Sequence, residues 1–389
     1  MEIPRKLHNY RIVFNSQRPK AAASHLYREC LSLLDGVSVG DFSDYAKYEV
    51  AIFMGYDGDL AEAKRSKISN PKLLVGIADP RGELIRPFLE WIDFLLVDSL
   101  EMLDFHRRFG LPILQYSEYP CLEPIRKVHS DRGPLIIGYH GNQLHLISMF
   151  PNLTRALEIA AAKFKCELWA VYNVGQLGRW STGVPKGIPV RHIQWYPEVY
   201  QNELASCDIG IVPALMPIRN IGQIKKKAAS ITRFFNESDE DYLLRFKMLS
   251  NPGRIITFGL LGIPVIADMF PSALQLIQHG ENGYVAYSCA GWRECLGDLL
   301  SDSLKRNTFS EKMQETILKN FSTNHQNQRL LNFVSSLSQG LIPCSAAVKE
   351  LTKSVYQLGS FKKDALSSTF GKLISLFYSL NKKKQRRRW

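Results

Sequence analysis

KMLSNPGRIITFGLLGIPVIADMFPSALQLIQHGENGYV, residues 247–285, is the stretch whose reading decides the fold. Asn251-Pro252-Gly253 is a turn cluster of the kind that opens a helix. Ile255 to Leu261 is apolar, and Gly259 within it allows close approach of a backbone or a ligand. Gly262 ends that helix, with Pro264 just past the stop. Val265-Ile266-Ala267 is a short unbroken apolar run, the pattern of a parallel strand covered on both faces. A loop from Asp268 to Ser272, a helix from Ala273 to His279 and the turn Gly280-Glu281-Asn282-Gly283 lead into the strand Tyr284-Val285-Ala286. Ligands of such α/β sheets sit beyond the carboxyl ends of the strands, and anions favour helix N-termini. Lys247 and Arg254 bracket the first helix start, where a diphosphate would be stabilised.

The alternation extends outward in both directions. On the N-terminal side, apolar runs at 10–14, 48–54, 73–77, 94–97 and 112–115 predict strands, with helical periods between most of them, beginning with 20–34. On the other side, strands are expected at 135–140, 167–172, 190–193 and 209–212, and helices around 152–164, 292–301, 305–319 and 327–337. Strand–helix alternation of this kind predicts parallel, doubly wound sheets. The stretch 119–133 mixes Pro, Gly and charge and reads as a linker between two domains.

Length and composition agree with two soluble globular domains. The chain has 389 residues, 45% apolar and 22% charged. Its seven cysteines are scattered and form no Cys-x2-Cys pair, which argues against a disulfide framework or a zinc site and suits a reducing cytosol. No signal peptide is read at the N-terminus, and no apolar run is long enough to span a bilayer. Of the net charge of +12, nine units belong to residues 341–389, which hold eleven Lys and Arg against two acids. Basicity confined to a tail weakens a nucleic-acid reading of the body. In that tail Leu366, Phe370, Leu373, Ile374, Phe377 and Leu380 form an apolar stripe at helical spacing, followed by KKKQRRR. Such a helix suits an anionic membrane surface; the plain alternative is a helix packed on the body with a free basic end.

Residues 262–286, GIPVIADMFPSALQLIQHGENGYVA, resemble the donor-binding half of GT-B glycosyltransferases, in particular the retaining enzymes of family 4. The helix that runs into Cys207-Asp208-Ile209-Gly210-Ile211-Val212-Pro213 resembles the same family. The resemblance covers 134–325 well and the N-terminal third by pattern. It implies an α/β GT-B architecture: two Rossmann-like domains facing a cleft, with 1–125 on the acceptor side, 134–325 binding a nucleotide sugar, a crossover helix at 326–340 and a basic amphipathic tail at 341–389. The implied reaction moves a sugar from a nucleoside-diphosphate sugar to a hydroxyl acceptor, a glycan or a lipid-linked sugar, in bacterial polysaccharide or glycolipid synthesis. By resemblance it proceeds with retention, without metal and without cofactor, the nucleotide sugar being co-substrate. The expected location is the cytoplasm, with the tail offering a peripheral hold on the inner membrane face.

Two departures from the family pattern matter. Its Glu-x7-Glu pair falls on Leu249 and Thr257, so neither acid is present. Its Gly-Arg and following Lys fall on Gly141-Asn142 and His145. The candidate donor contacts are therefore Gly141, Asn142, His145, Lys247, Asn251, Arg254, Thr257 and, from the turn, Glu281. Asp79 after its strand and His140 at the end of its own are the candidates for chemistry; an Asp-Pro turn and a structural histidine are the plain readings. Tyr196 is read as packing under a helix, with stacking on a base as the alternative. Asp57-Gly58-Asp59 reads as a turn opening a helix and Asp239 to Asp241 as a solvated face; no metal is expected. The rival reading, favoured by the missing acids, is a non-catalytic GT-B module that binds a nucleotide sugar or a glycan.

Overall fold

The computed structural model describes residues 10–117, 120, 122–197, 199–215 and 251–342. Lys247, Asp239 to Asp241 and the tail stripe at 366–380 lie outside the described residues.

Two six-stranded, fully parallel sheets make up the body. The first has the order β2-β1-β3-β4-β5-β6, with β1 at Ile12–Asn15, β2 at Val37–Val39, β3 at Val50–Met54, β4 at Leu74–Ala78, β5 at Phe94–Val97 and β6 at Ile113–Gln115. The second has the order β12-β11-β10-β7-β8-β9, with β7 at Leu135–His140, β8 at Cys166–Tyr172, β9 at Val190–Gln194, β10 at Ile209–Val212, β11 at Val265–Asp268 and β12 at Tyr284–Ala286. Four of the central strands, β3, β5, β10 and β11, are buried along their whole length, as unbroken apolar runs require when helices cover both faces. β2 escaped the sequence reading because three residues at a sheet edge, two half-exposed and Val39 exposed, carry no usable period. The helix after β11 is Pro271–Leu276, shorter and earlier than the pattern implied, with its Pro at the first turn.

Each sheet reverses its strand order once. The reversal lies between β1 and β3 in the first lobe and between β7 and β10 in the second. These two points, at the carboxyl ends, are where such sheets hold ligands. The lobes meet by those ends. The Leu100 amide and the Ser272 hydroxyl lie 3.0 Å apart, Ser272 also bonds Glu101, and the Gln115 and Gln275 amides pair at 2.8 Å. The helix Thr323–Ser338 returns to the first lobe, where Asn327 accepts from the Tyr116 hydroxyl and donates to the Cys30 carbonyl.

The linker is not a free connection. Ile125 donates to the Leu260 carbonyl, Lys127 reaches the Ala205 and Cys207 carbonyls, and buried His129 donates to the Gly262 carbonyl at 2.9 Å. It runs along the amino edge of the second sheet, ahead of β10 and β11. Among the described residues no helix is long and apolar enough to cross a membrane.

Candidate functional site at the carboxyl edge of the second lobe

Two glycines set the site by leaving space on the sheet. A Cβ on Gly210 of β10 would lie 2.5 Å from the Phe258 ring, and one on Gly138 of β7 would lie 3.4 Å from it. Phe258 covers Gly210, Cys207 Sγ comes closest over Gly138, at 2.6 Å from a Cβ there, and the helix Gly253–Leu260 packs onto the sheet across the reversal point. Removing such a ring costs about 3–5 kcal/mol. Arg254, one turn earlier on the same helix face, is thereby placed at the carboxyl edge. Gly259 serves the opposite face: its missing Cβ admits Ile317 and Met313 of the helix Ser303–Asn320, so its role is helix packing rather than ligand approach.

Arg254 is buried. Its Nη1 donates to the Pro213 carbonyl at 2.9 Å, and its Nη2 lies 3.3 Å from His145 Nδ1. The Tyr139 hydroxyl borders it and donates to the Asn142 carbonyl at 2.6 Å. Its charge is answered by Asp268, at the end of β11, whose oxygen accepts from the Ala214 and Leu215 amides at 2.7 and 2.9 Å. Burial pushes the Asp268 carboxyl up to about 6, against those amides, Trp292 and Arg254, which favour its ionised form. A buried guanidinium with one partly titrated counter-ion is a site prepared for a further anion.

His140 ends β7 between Tyr200 and Phe258, its ring 5.8 and 5.1 Å from theirs. It is 7% exposed, and among the described residues its Nε2 has no hydrogen-bond partner. Burial first, then the Arg254 charge, push its pKa down to about 3, so the ring is neutral. A buried, unmatched imidazole nitrogen is costly unless something binds it.

Gly141 requires a correction. Its backbone lies at φ +135°, and its N–H donates to the Val171 carbonyl at 3.1 Å, so that amide is not available to a phosphate. What its bare Cα provides is room: a Cβ would sit 3.0 Å from the Tyr139 hydroxyl and 3.2 Å from Arg254 Cδ. Gly141→Val is therefore expected to strain the loop, displace the Arg254 stem and weaken anion binding tenfold or more, about 1.4 kcal/mol; a titration matching wild type would remove this role. Asn142 caps the short helix Gln143–Ser148, its Oδ1 accepting from the Leu144 amide at 2.9 Å, and it is exposed.

The remaining candidates divide. Asn251 Oδ1 accepts from the Gly253 amide at 3.1 Å, fixing the helix start. Thr257 is buried and donates to the Gly253 carbonyl at 2.9 Å, so its hydroxyl proton stays inside the helix. Glu281 is exposed in the turn before β12, at the amino edge of the sheet, the end opposite to Arg254 and His140. Tyr196 does not pack under a helix: it is 55% exposed, just beyond the carboxyl end of β9. Cys207 is a buried core thiol pushed up to about 12 by burial. Asp268 and Tyr139 were missed; the strand-end rule applied to β11 would have found the first.

In the first lobe Asp79 follows β4 with φ +49°, the one non-glycine residue at positive φ among the described residues. It is buried and ion-paired to Arg81 Nη2 at 2.7 Å. Burial raises its pKa, and Arg81 opposes the rise. Asp57-Gly58-Asp59 is the first turn of the helix Asp57–Ser69 itself, whose N-cap Tyr56 makes no side-chain cap bond, and Asp59 accepts from the Gln17 amide at 2.6 Å, tying the helix start to the loop after β1.

The chain has the GT-B fold, two Rossmann-like lobes meeting at their strand ends. Anabaena HepE in complex with UDP aligns with a TM-score of 0.53 at 13% identity over 84% of this chain and all of that one. Its complex with UDP-glucose aligns equally, at 12% identity over 84% of this chain and 99% of that one. The N-terminal domain of Candida albicans trehalose-6-phosphate phosphatase aligns at 0.50 and 11% identity, over 86% of this chain and 99% of that one. No protein-family model and no curated protein sequence matches the chain.

Proposed function

We propose that the protein is a glycosyltransferase that moves a sugar from a nucleoside-diphosphate sugar to a hydroxyl acceptor in polysaccharide or glycolipid synthesis. The observation that carries this reading is the pairing of a buried Arg254 guanidinium with the unmatched His140 Nε2 at the β7/β10 reversal. Arg254 stabilises the leaving diphosphate, whose charge grows as the glycosidic bond breaks. His140, neutral throughout the working pH range, donates or accepts a hydrogen bond at the sugar or the phosphate. The exposed Tyr196 offers the base a stacking face. In this reading the diphosphate is held by protein cations without a metal, the outcome is retention, and Asp79 orients or deprotonates the acceptor hydroxyl from the first lobe. HepE was solved with UDP and with UDP-glucose, which makes these the first ligands to try.

A second reading, a non-catalytic module that binds a nucleotide sugar, is favoured by one observation. Thr257 stands where the family has its second glutamate, and its hydroxyl is spent on Gly253. Calorimetric titration with UDP, GDP and their glucose and mannose conjugates tests the shared claim. One diphosphate is expected to bind at about 10–100 μM, more tightly than its nucleoside by tenfold or more. If no nucleotide of the panel binds, both readings fall. Binding without slow donor hydrolysis or transfer to any sugar acceptor selects the module.

A further inference from the structure

The first lobe carries a cationic pair at its own reversal point that the donor site does not use. The loop after β1 brings Arg18 against the Tyr56 ring, at 5.0 Å from its centroid, and the loop after β4 brings Arg81 against the same ring at 4.6 Å. The two guanidiniums therefore lie within about 10 Å of each other, a separation at which like charges still repel. Tyr56 itself is 7% exposed, so the ring is a fixed floor rather than a mobile side chain.

Three carboxylates lie near the pair: the charge of Asp59 reaches Arg18 and those of Asp79 and Asp98 reach Arg81, but among the described residues none closes an ion pair with Arg18. Asp59 lies beneath the loop, with its oxygens taken by the Gln17 amide and the Ser16 hydroxyl. Asp79 binds Arg81, and Asp98 accepts from the Tyr27 hydroxyl. Both of these are buried, and Asp98 is raised by burial and then by the Asp79 charge, so the two do not readily ionise together. Arg81 Nε is buried with no partner among the described residues. Arg18 is exposed, and its guanidinium makes no ion pair with a carboxylate of the described residues within 4 Å.

We infer that Arg18 and Arg81, both set against Tyr56, form an oxyanion subsite on the acceptor side, so that the acceptor carries a phosphate or a carboxylate beside its reacting hydroxyl. The inference rests on the glycosyltransferase reading for the word acceptor, but the subsite stands on its own geometry. Guanidinium forks match both oxyanions, and a ring that holds them in place reduces the ordering cost of binding. Asp79, two residues before Arg81, then faces the same substrate from the strand end.

The test uses the full chain, titrated calorimetrically with glucose 1-phosphate, glucuronate and neutral glucose, each with and without saturating UDP. One of the two oxyanions is expected to bind at about 1 mM or tighter while glucose does not, and the better of the two names the group. Arg18→Ala, an exposed change, should weaken that binding about tenfold or more, Arg18→Lys by less, with UDP affinity and thermal midpoint unchanged. Neither oxyanion binding at about 10 mM overturns the subsite, as does equal binding by Arg18→Ala. Failure of UDP to bind wild type would overturn the donor reading instead, and the titrations without UDP are judged by the same criteria.

Discussion

Arg254→Ala is expected to weaken UDP-glucose binding by about a hundredfold or more. The guanidinium has five N–H groups; Pro213, His145 and the Tyr139 hydroxyl engage three of them, and two remain for a ligand. Two charge-assisted bonds to a diphosphate are worth about 3–6 kcal/mol, and each 1.4 kcal/mol is tenfold. Uridine, which has no phosphate, should bind the variant as it binds wild type. Arg254→Lys keeps the charge but cannot span Pro213 and His145, so a loss of at least about tenfold is expected there too. The pH profile supplies an independent arm. Above about pH 6 the Asp268 carboxylate competes with the ligand for Arg254; below it that competition fades. UDP-glucose, with no proton to gain in this range, should therefore bind several-fold more tightly at pH 5.5 than at 7.5, and Asp268→Asn should flatten the slope. Wild-type affinity in Arg254→Ala would remove the diphosphate from this place.

The second large effect concerns acid. His106 and His129 are held neutral with pKa values pushed down to about 4, and His140 to about 3, in each case chiefly by burial. His106 donates from Nδ1 to the Met102 carbonyl at 2.7 Å, and its Nε2 has no partner to receive a proton's charge. Between about pH 6.5 and 4 the unfolded chain binds protons that the folded chain refuses, so stability falls as pH falls through that window. At about 1.4 kcal/mol per pKa unit each imidazole contributes about 3 kcal/mol or more, and together they rival the whole stability of an ordinary protein. Asp268 works in the other direction: its pKa is raised on folding, so its contribution favours the folded state as pH drops through 6. Asp59, Asp79 and Asp98, raised by burial, act like Asp268, whereas Asp41, Glu49, Glu62, Asp131 and Asp298, held low by hydrogen bonds and ion pairs, add to the loss that the three imidazoles cause on acidification. The thermal midpoint should fall by about 10 °C or more between pH 7.5 and 4.5. His106→Phe should shallow that fall; a flat midpoint across the range would refute the account.

Much of the fold was legible because its information is local. Val265 to Ala267 and Ile209 to Val212 are apolar on both sides of the strand, and Gly262 with Pro264 marks a helix end, so a parallel sheet follows without knowledge of neighbours. The second lobe's motif added the GT-B pattern. Burial and contact were not local. Gly141 stood among the candidate donor contacts, but its amide bonds the Val171 carbonyl on β8, which no spacing in the chain discloses. Glu281 sits in a strong turn signal, yet which end of the sheet a turn occupies depends on strand direction. Tyr196 looked like a packing residue until its exposure was known.

The sequence alone determined that the chain alternates strand and helix, that two nucleotide-type sheets follow, and that Arg254 stands at a helix start. Tertiary structure decided which charged groups meet. Phe258 packing over Gly210 brings Arg254 to His145, Pro213 and the field of Asp268, residues up to 109 positions away. It also set Arg18 and Arg81 against one ring. The physical reason is that secondary structure is written in the periodicity of neighbours, whereas a site is made by burial, which brings distant charges together and changes what each of them costs.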